Sequence, residues 1–153
     1  METDWAREMD TFFAGETAKQ DAKQEREATA SEAEARQIAA CMRGAVLPAM
    51  RAVQAILEAR GRAVEITEPG TGDTPMAIGV KHGKRDELFY RVIAMGKGDG
   101  TVEVATRIRK RILGSSATTE TEGVLRRGAE MTKDEVIGDI LTNFKDAIRM
   151  PVV

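Results

Sequence analysis

The chain is short of the residues that build active sites. It holds one cysteine, Cys41, and one histidine, His82, in 153 residues. One cysteine excludes an intrachain disulfide and fits a reducing, cytoplasmic setting. One histidine and one cysteine cannot assemble a common zinc site without carboxylates, and no ligand spacing suggests such a site. Aromatic residues are equally few: Trp5, Phe12, Phe13, Phe89, Tyr90 and Phe144. No apolar run approaches the roughly 20 residues of a membrane span. The acidic start, Met1–Asp10, has no apolar core segment of the kind a secretory signal needs. The formal net charge of −2 argues against a global basic field for nucleic acid. No internal repeat is visible. The expectation is a non-enzymatic protein with no cofactor, no metal and no membrane association.

What is present is helix. From Thr17 to Arg36 the chain is Ala, Glu, Lys, Gln, Arg and Asp with a few Ser and Thr, and it lacks Gly, Pro and aromatics. Most of these are strong helix formers. Ile38, Met42, Ala45, Val46, Ala49, Val53, Ile56 and Leu57 then recur at steps of three and four, one helical face. Gly61 after Arg60 fits a C-terminal cap. Pro48 cannot donate to the carbonyl of Gly44, which predicts a kink or short break around Gly44–Pro48. A straight helix over 16–60 would span roughly 68 Å, several times the ~15 Å radius of gyration of a compact body this size. Such a helix must project, fold back at the break, or pair with another chain, and a homo-oligomer is the usual remedy.

Ahead of it, Asp4 can cap a short helix carrying Trp5, Met9, Phe12 and Phe13 on one side, with Gly15 as the interruption. Half of the aromatic residues therefore sit in the first thirteen positions. Such a patch needs cover, either from the chain's own sheet or from a second protomer or protein partner. A membrane-surface helix is disfavoured, because Glu2, Asp4, Glu8 and Asp10 outnumber Arg7.

After Gly61 the apolar period becomes two. Val64 and Ile66, then Met76, Ile78 and Val80, then Leu88 to Met95, then Thr101 to Leu113 read as four strands. Pro69–Asp73, His82–Asp86 and Gly96–Gly100 are the turns between them, and Asp99-Gly100 is a hairpin signal. A fifth strand is expected around Thr119 to Arg127. Closely spaced turns without helices between them predict an antiparallel meander. Thr132 and Glu135 form a capping box for a last helix, with Val136, Ile137, Ile140, Leu141, Phe144 and Ile148 on its apolar face and Pro151 at its end. The fold class is thus α+β: a long kinked N-terminal helix, an antiparallel meander of four to five strands, and a C-terminal helix on the sheet. Residues 1–43 form the extension (1–15 an aromatic anchor, 16–43 a polar helix) and 44–153 the α+β domain. The expected core includes Val53, Ile56, Leu57, Ile78, Val80, Val92, Ile108, Ile140, Leu141 and Phe144. This order of elements resembles that of dimeric tweezer-like nucleoid-associated proteins and of small bacterial secretion chaperones.

Few chemical motifs compete for attention. Gly96-Lys97-Gly98-Asp99-Gly100 lacks the Gly-Lys-Ser/Thr ending and the following helix of a phosphate loop. His82 beside a glycine reads as a turn residue, and Cys41 as a small core residue. Glu120 and Glu122 alternate as an ordinary surface pair. Charge is uneven along the chain: net −3 over 1–60, +3 over 61–113 and −2 over 114–153. In the middle stretch Arg107, Arg109 and Arg111 alternate on the fourth strand, placing three guanidinium groups on one face about 7 Å apart. Acidic residues such as Glu65, Glu103 or those of the N-terminal helix can neutralise them. Alternatively they face an anion, either a phosphate backbone or an acidic protein. The leading expectation is a homodimeric interaction protein that docks on a protein partner through Trp5, Met9, Phe12 and Phe13. It would serve as an inhibitor or adaptor, such as a phage- or plasmid-borne anti-defence protein. The alternative is a nucleic-acid binder using Arg107, Arg109 and Arg111.

Overall fold

The computed structural model describes residues 2–111, 118–127 and 130–149. Helix α1 runs Glu2–Cys41, a π-helical turn occupies Met42–Val46, and α2 follows at Leu47–Glu58. The strands are β1 (Ala63–Thr67), β2 (Met76–His82), β3 (Arg85–Gly96), β4 (Val102–Arg111) and β5 (Thr118–Arg127), and helix α3 is Lys133–Arg149. The five strands form one antiparallel sheet in chain order. The α+β meander expected from the apolar period is the fold that forms. Ile112 and Leu113, at the expected end of the fourth strand, and Pro151 lie outside the described residues.

The expected break at Gly44–Pro48 takes a specific form. The Leu47 amide bonds the Met42 carbonyl, one residue further back than in an α-helix, and Pro48 falls in the first turn of α2. A proline is tolerated there because first-turn amides have no intrahelical acceptor. The widened turn absorbs the missing donor without ending the helix. Gly15 does not interrupt anything: α1 passes through it as regular helix. One glycine costs about 1 kcal/mol of helix propensity, which the good formers around it outweigh.

At the other end of α2 the chain closes in a Schellman motif. Gly61, at φ 85°, is followed by an Arg62 amide that donates to Leu57 O at 3.1 Å, while the Gly61 amide donates to Glu58 O at 3.1 Å. Only a residue without Cβ takes that φ cheaply, so Gly61 is the cap that its place after Arg60 suggested.

One face of the sheet is the core. Met76, Ile78, Val80, Leu88, Tyr90, Val92, Val102, Val104 and Ile108 alternate inward beneath the helices. Against them pack Met42, Val46, Met50, Val53 and Leu57 from the first helical region and Val136, Ile140 and Phe144 from α3. Of the expected core residues, Leu141 is only partly buried but packs on the cluster, and Ile56 is half-buried and outside it. Methionine supplies much of the rest: Met42, Met50 and Met76 are buried, as unbranched side chains suited to irregular gaps often are. The N-cap bond of the expected capping box forms at the start of α3, where the Glu135 amide donates to Thr132 Oγ1 at 3.2 Å.

Candidate interaction surfaces

The N-terminal part of α1 leaves the body. Almost every residue from Asp4 to Thr29 is exposed, and burial begins at Glu34, within the polar 16–43 segment. Two hydrogen bonds fix where the helix departs. The Gly98 amide donates to Glu34 Oε1 at 2.5 Å, and Gln37 Nε2 donates to Gly100 O at 2.7 Å. Glu34 and Gln37 thus grip the tip of the β3–β4 hairpin. Gly98 and Gly100 need glycine for φ values of 86° and 89°. Gly96 needs it for space, because a Cβ there would sit 2.5 Å from Glu34 Oε1. The glycine-rich stretch is therefore a hairpin turn and a docking seat for α1.

Beyond this grip about 30 residues of helix project roughly 45 Å. At the far end Trp5, Met9, Phe12 and Phe13 are 63%, 48%, 56% and 62% exposed. The Phe12 and Phe13 rings meet edge to face, 5.5 Å between centroids. These four sites come together as the spacing predicts, and the chain's own sheet does not cover them. Nothing else of their size is so exposed among the described residues except Phe89 and Met95 on the open sheet face.

That open face holds the arginine strip. Arg107 and Arg109 are exposed on β4, with Arg111 in register beyond them. The strand register sets Glu122 directly opposite Arg107 and Glu120 opposite Arg109. The register thus sets an acidic position opposite each of Arg107 and Arg109. Opposite charges at facing positions each contribute roughly 0.2–1 kcal/mol. Across the same row run Glu65, Gly79, Phe89 and Arg109 in register. The Arg109 guanidinium lies 5.8 Å from the Phe89 ring centroid, a cation–π contact. Gly79 leaves the floor low beside Phe89, and a shallow concavity of about 510 Å³ opens over it, rimmed by Glu65, Thr67, Lys81 and Arg109.

The remaining reactive groups serve the fold. Burial pushes the Cys41 thiol above its ordinary range, and Cys41 is inside the core as its neighbours suggested. His82 ends β2 in the open, before a two-residue Gly-Lys turn with Gly83 at φ 64°. Tyr90 is completely buried and its hydroxyl donates to Asp139 on α3. Burial and that carboxylate together push the phenol far above its usual range. A bulge opposite the Val80–Lys81 step leaves Glu87 as the extra residue of β3. It turns inward and meets Arg62 at 3.0 Å, and Arg62 also lies 5.8 Å from the Phe144 ring centroid.

Among the described residues there is no group of three or more His, Cys, Asp or Glu side chains that could hold a metal ion. Nor is any of their helices long and apolar enough to cross a membrane. Comparison with protein families, with curated proteins and with solved structures returned no match.

Proposed function

We propose that this chain is a non-enzymatic interaction protein, homodimeric, that acts by docking on a protein surface through the tip of α1, as an inhibitor or adaptor does. One observation carries the reading: four large apolar side chains stand exposed at the far end of α1, a helix that packs on the body only through its C-terminal part. From these exposures they offer about 500 Å² of apolar surface, worth on the order of 10 kcal/mol before ordering costs. A stretch of helix held this far from its body serves reach, and a cluster centred on tryptophan is the composition of an interface hot spot.

The test is photo-cross-linking with a benzophenone side chain in place of Phe12, in extract of the cells that make the protein. The expected product is one defined protein species, lost when Trp5→Ala and Phe13→Ala are added. If the only products are diffuse and indifferent to those substitutions, the reading is wrong. Nucleic-acid binding by Arg107, Arg109 and Arg111 is the second reading. The stacked Phe89–Arg109 pair on an open sheet favours it, and the facing Glu120 and Glu122 oppose it.

A further inference from the structure

We infer that the partner of the α1 tip is a second copy of this chain, bound antiparallel along the projecting helix; this rests on the docking role proposed above. Trp5, Met9, Phe12, Glu16, Lys19, Lys23, Arg26 and Ala30 recur at alternating steps of four and three, a continuous heptad seam. Only its first three positions are large and apolar, so the seam is invisible to a search for hydrophobic heptads. It matches its own reverse. In the antiparallel register centred on Thr17 and Ala18, Trp5 of one copy faces Ala30 of the other, a large residue on a small one. Met9 then lies along the aliphatic stem of Arg26, Phe12 meets Lys23 as a cation–π pair, and Glu16 meets Lys19. Each cation of the seam is set against an apolar stem, a ring or a carboxylate. A parallel, in-register pair would instead stack Lys19, Lys23 and Arg26 on their own copies.

The body gives a second, steric reason. Trp5 and Cys41 are about ten helical turns apart, so the seam lies on the side of α1 that carries the buried Glu34 and Cys41. A parallel partner on that side would run into the two sheets. An antiparallel partner would end just short of them, because the exposed length, which stops near Ala33, matches the overlap this register needs. The area is sufficient as well. With Phe13, which flanks the seam beside Phe12, counted in, two patches of about 500 Å² give about 1,000 Å² of apolar surface, which is the lower range for a specific complex.

Trp5 is the only tryptophan and is largely exposed in the single chain, so its emission reports pairing directly. Dilution of the full chain should shift that emission to the red, in step with a dimer-to-monomer transition in sedimentation equilibrium. Trp5→Ala with Phe12→Ala, followed by sedimentation alone, should raise the dissociation constant by about 100-fold or more. Orientation is read from spin labels at Thr11→Cys and, separately, at Thr29→Cys, in a Cys41→Ala background. The antiparallel register predicts unequal distances of about 25 Å and 40 Å. A monomer at about 100 μM, a dimer unaffected by the double substitution, or equal short distances at both sites overturns the inference. If the chain is monomeric and Phe12 still cross-links to a different protein, the docking role stands and only the choice of partner falls.

Discussion

Gly96→Ala is the sharpest probe of how the extension is held. The backbone at Gly96 has no positive φ, so alanine brings no conformational strain. It brings a methyl group 2.5 Å from Glu34 Oε1, 2.8 Å from Cδ and 3.2 Å from Cβ. Glu34 is 6% exposed, so its side chain cannot simply swing away without leaving its site. Its bond from the Gly98 amide is then lost. A hydrogen bond to a charged group contributes about 2 kcal/mol. In a chain of this length that lowers the melting temperature by about 4–8 °C. The control is the same change in a Glu34→Ala background, where the Oε1 and Cδ atoms are gone, only the Cβ contact at 3.2 Å remains, and the added cost should be small. Thermal melts of the four proteins of the cycle give the coupling, expected at about 1.5–2 kcal/mol. Equal costs of Gly96→Ala in both backgrounds would refute the clasp. Hydrogen exchange at Gln37 to Cys41 should quicken in Gly96→Ala, since these residues lose their seat on the hairpin.

Four further outcomes follow from the same contacts. Tyr90 is the only tyrosine, and its phenol is raised in the folded state relative to about 10 in the unfolded chain. Its contribution to stability is therefore complete below pH 10 and falls as pH rises beyond it. Tyrosinate absorbance should appear only together with alkaline unfolding, and a reversible titration near pH 10 with the fold intact would contradict this. Tyr90→Phe should cost about 1–2 kcal/mol in denaturant melts, because the half-buried Asp139 loses its donor. Cys41 should resist thiol reagents in the native protein and react on unfolding. Arg107→Ala should lower stability by under about 1 kcal/mol and leave mobility shifts on DNA or RNA unchanged at low salt; a salt-steep affinity flattened by this substitution would instead support the nucleic-acid reading.

Much of this fold is written in local signals, and the missed parts share a physical cause. The period-two runs, the Asp99-Gly100 turn, the N-cap at Thr132 and the glycine cap at Gly61 are each decided by neighbours in the chain, and each forms where expected. What escaped were outcomes of residues meeting from far apart. Glu34 and Gly96 look unrelated until the hairpin tip lands on α1. Glu87 sits on the wrong parity for burial, and only the bulge turns it inward to Arg62. Glu120 and Glu122 looked like a generic pair because β5's register against β4 cannot be read from either strand alone. Gly15 misled in the opposite way, since a breaker by propensity is overridden by the length of helix on either side. The aromatic patch was legible from composition, whereas its exposure was not, because that depends on where α1 leaves the body.

The projecting helix also constrains itself. Isolated helices are marginal in water, and this one receives tertiary support only from Glu34 onward. Thr11, Gly15, Thr17, Asp21, Thr29 and Ser31 are poor formers within it, and intrahelical pairs such as Lys19–Glu16 and Lys23–Glu27 add only tenths of a kcal/mol. The end remote from Glu34 has the least tertiary support, and it is there that Trp5, Met9 and Phe12 must be held in helical register to make the proposed surface. Order in the extension and occupancy of its seam are therefore linked. A partner that covers the patch stabilises the helix, and substitutions that raise its helicity tighten binding without touching the partner. Gly15→Ala is such a change: nothing lies within 4 Å of the added methyl group. It should raise helix content by circular dichroism at low concentration and strengthen self-association by up to about fivefold, the equivalent of about 1 kcal/mol of propensity.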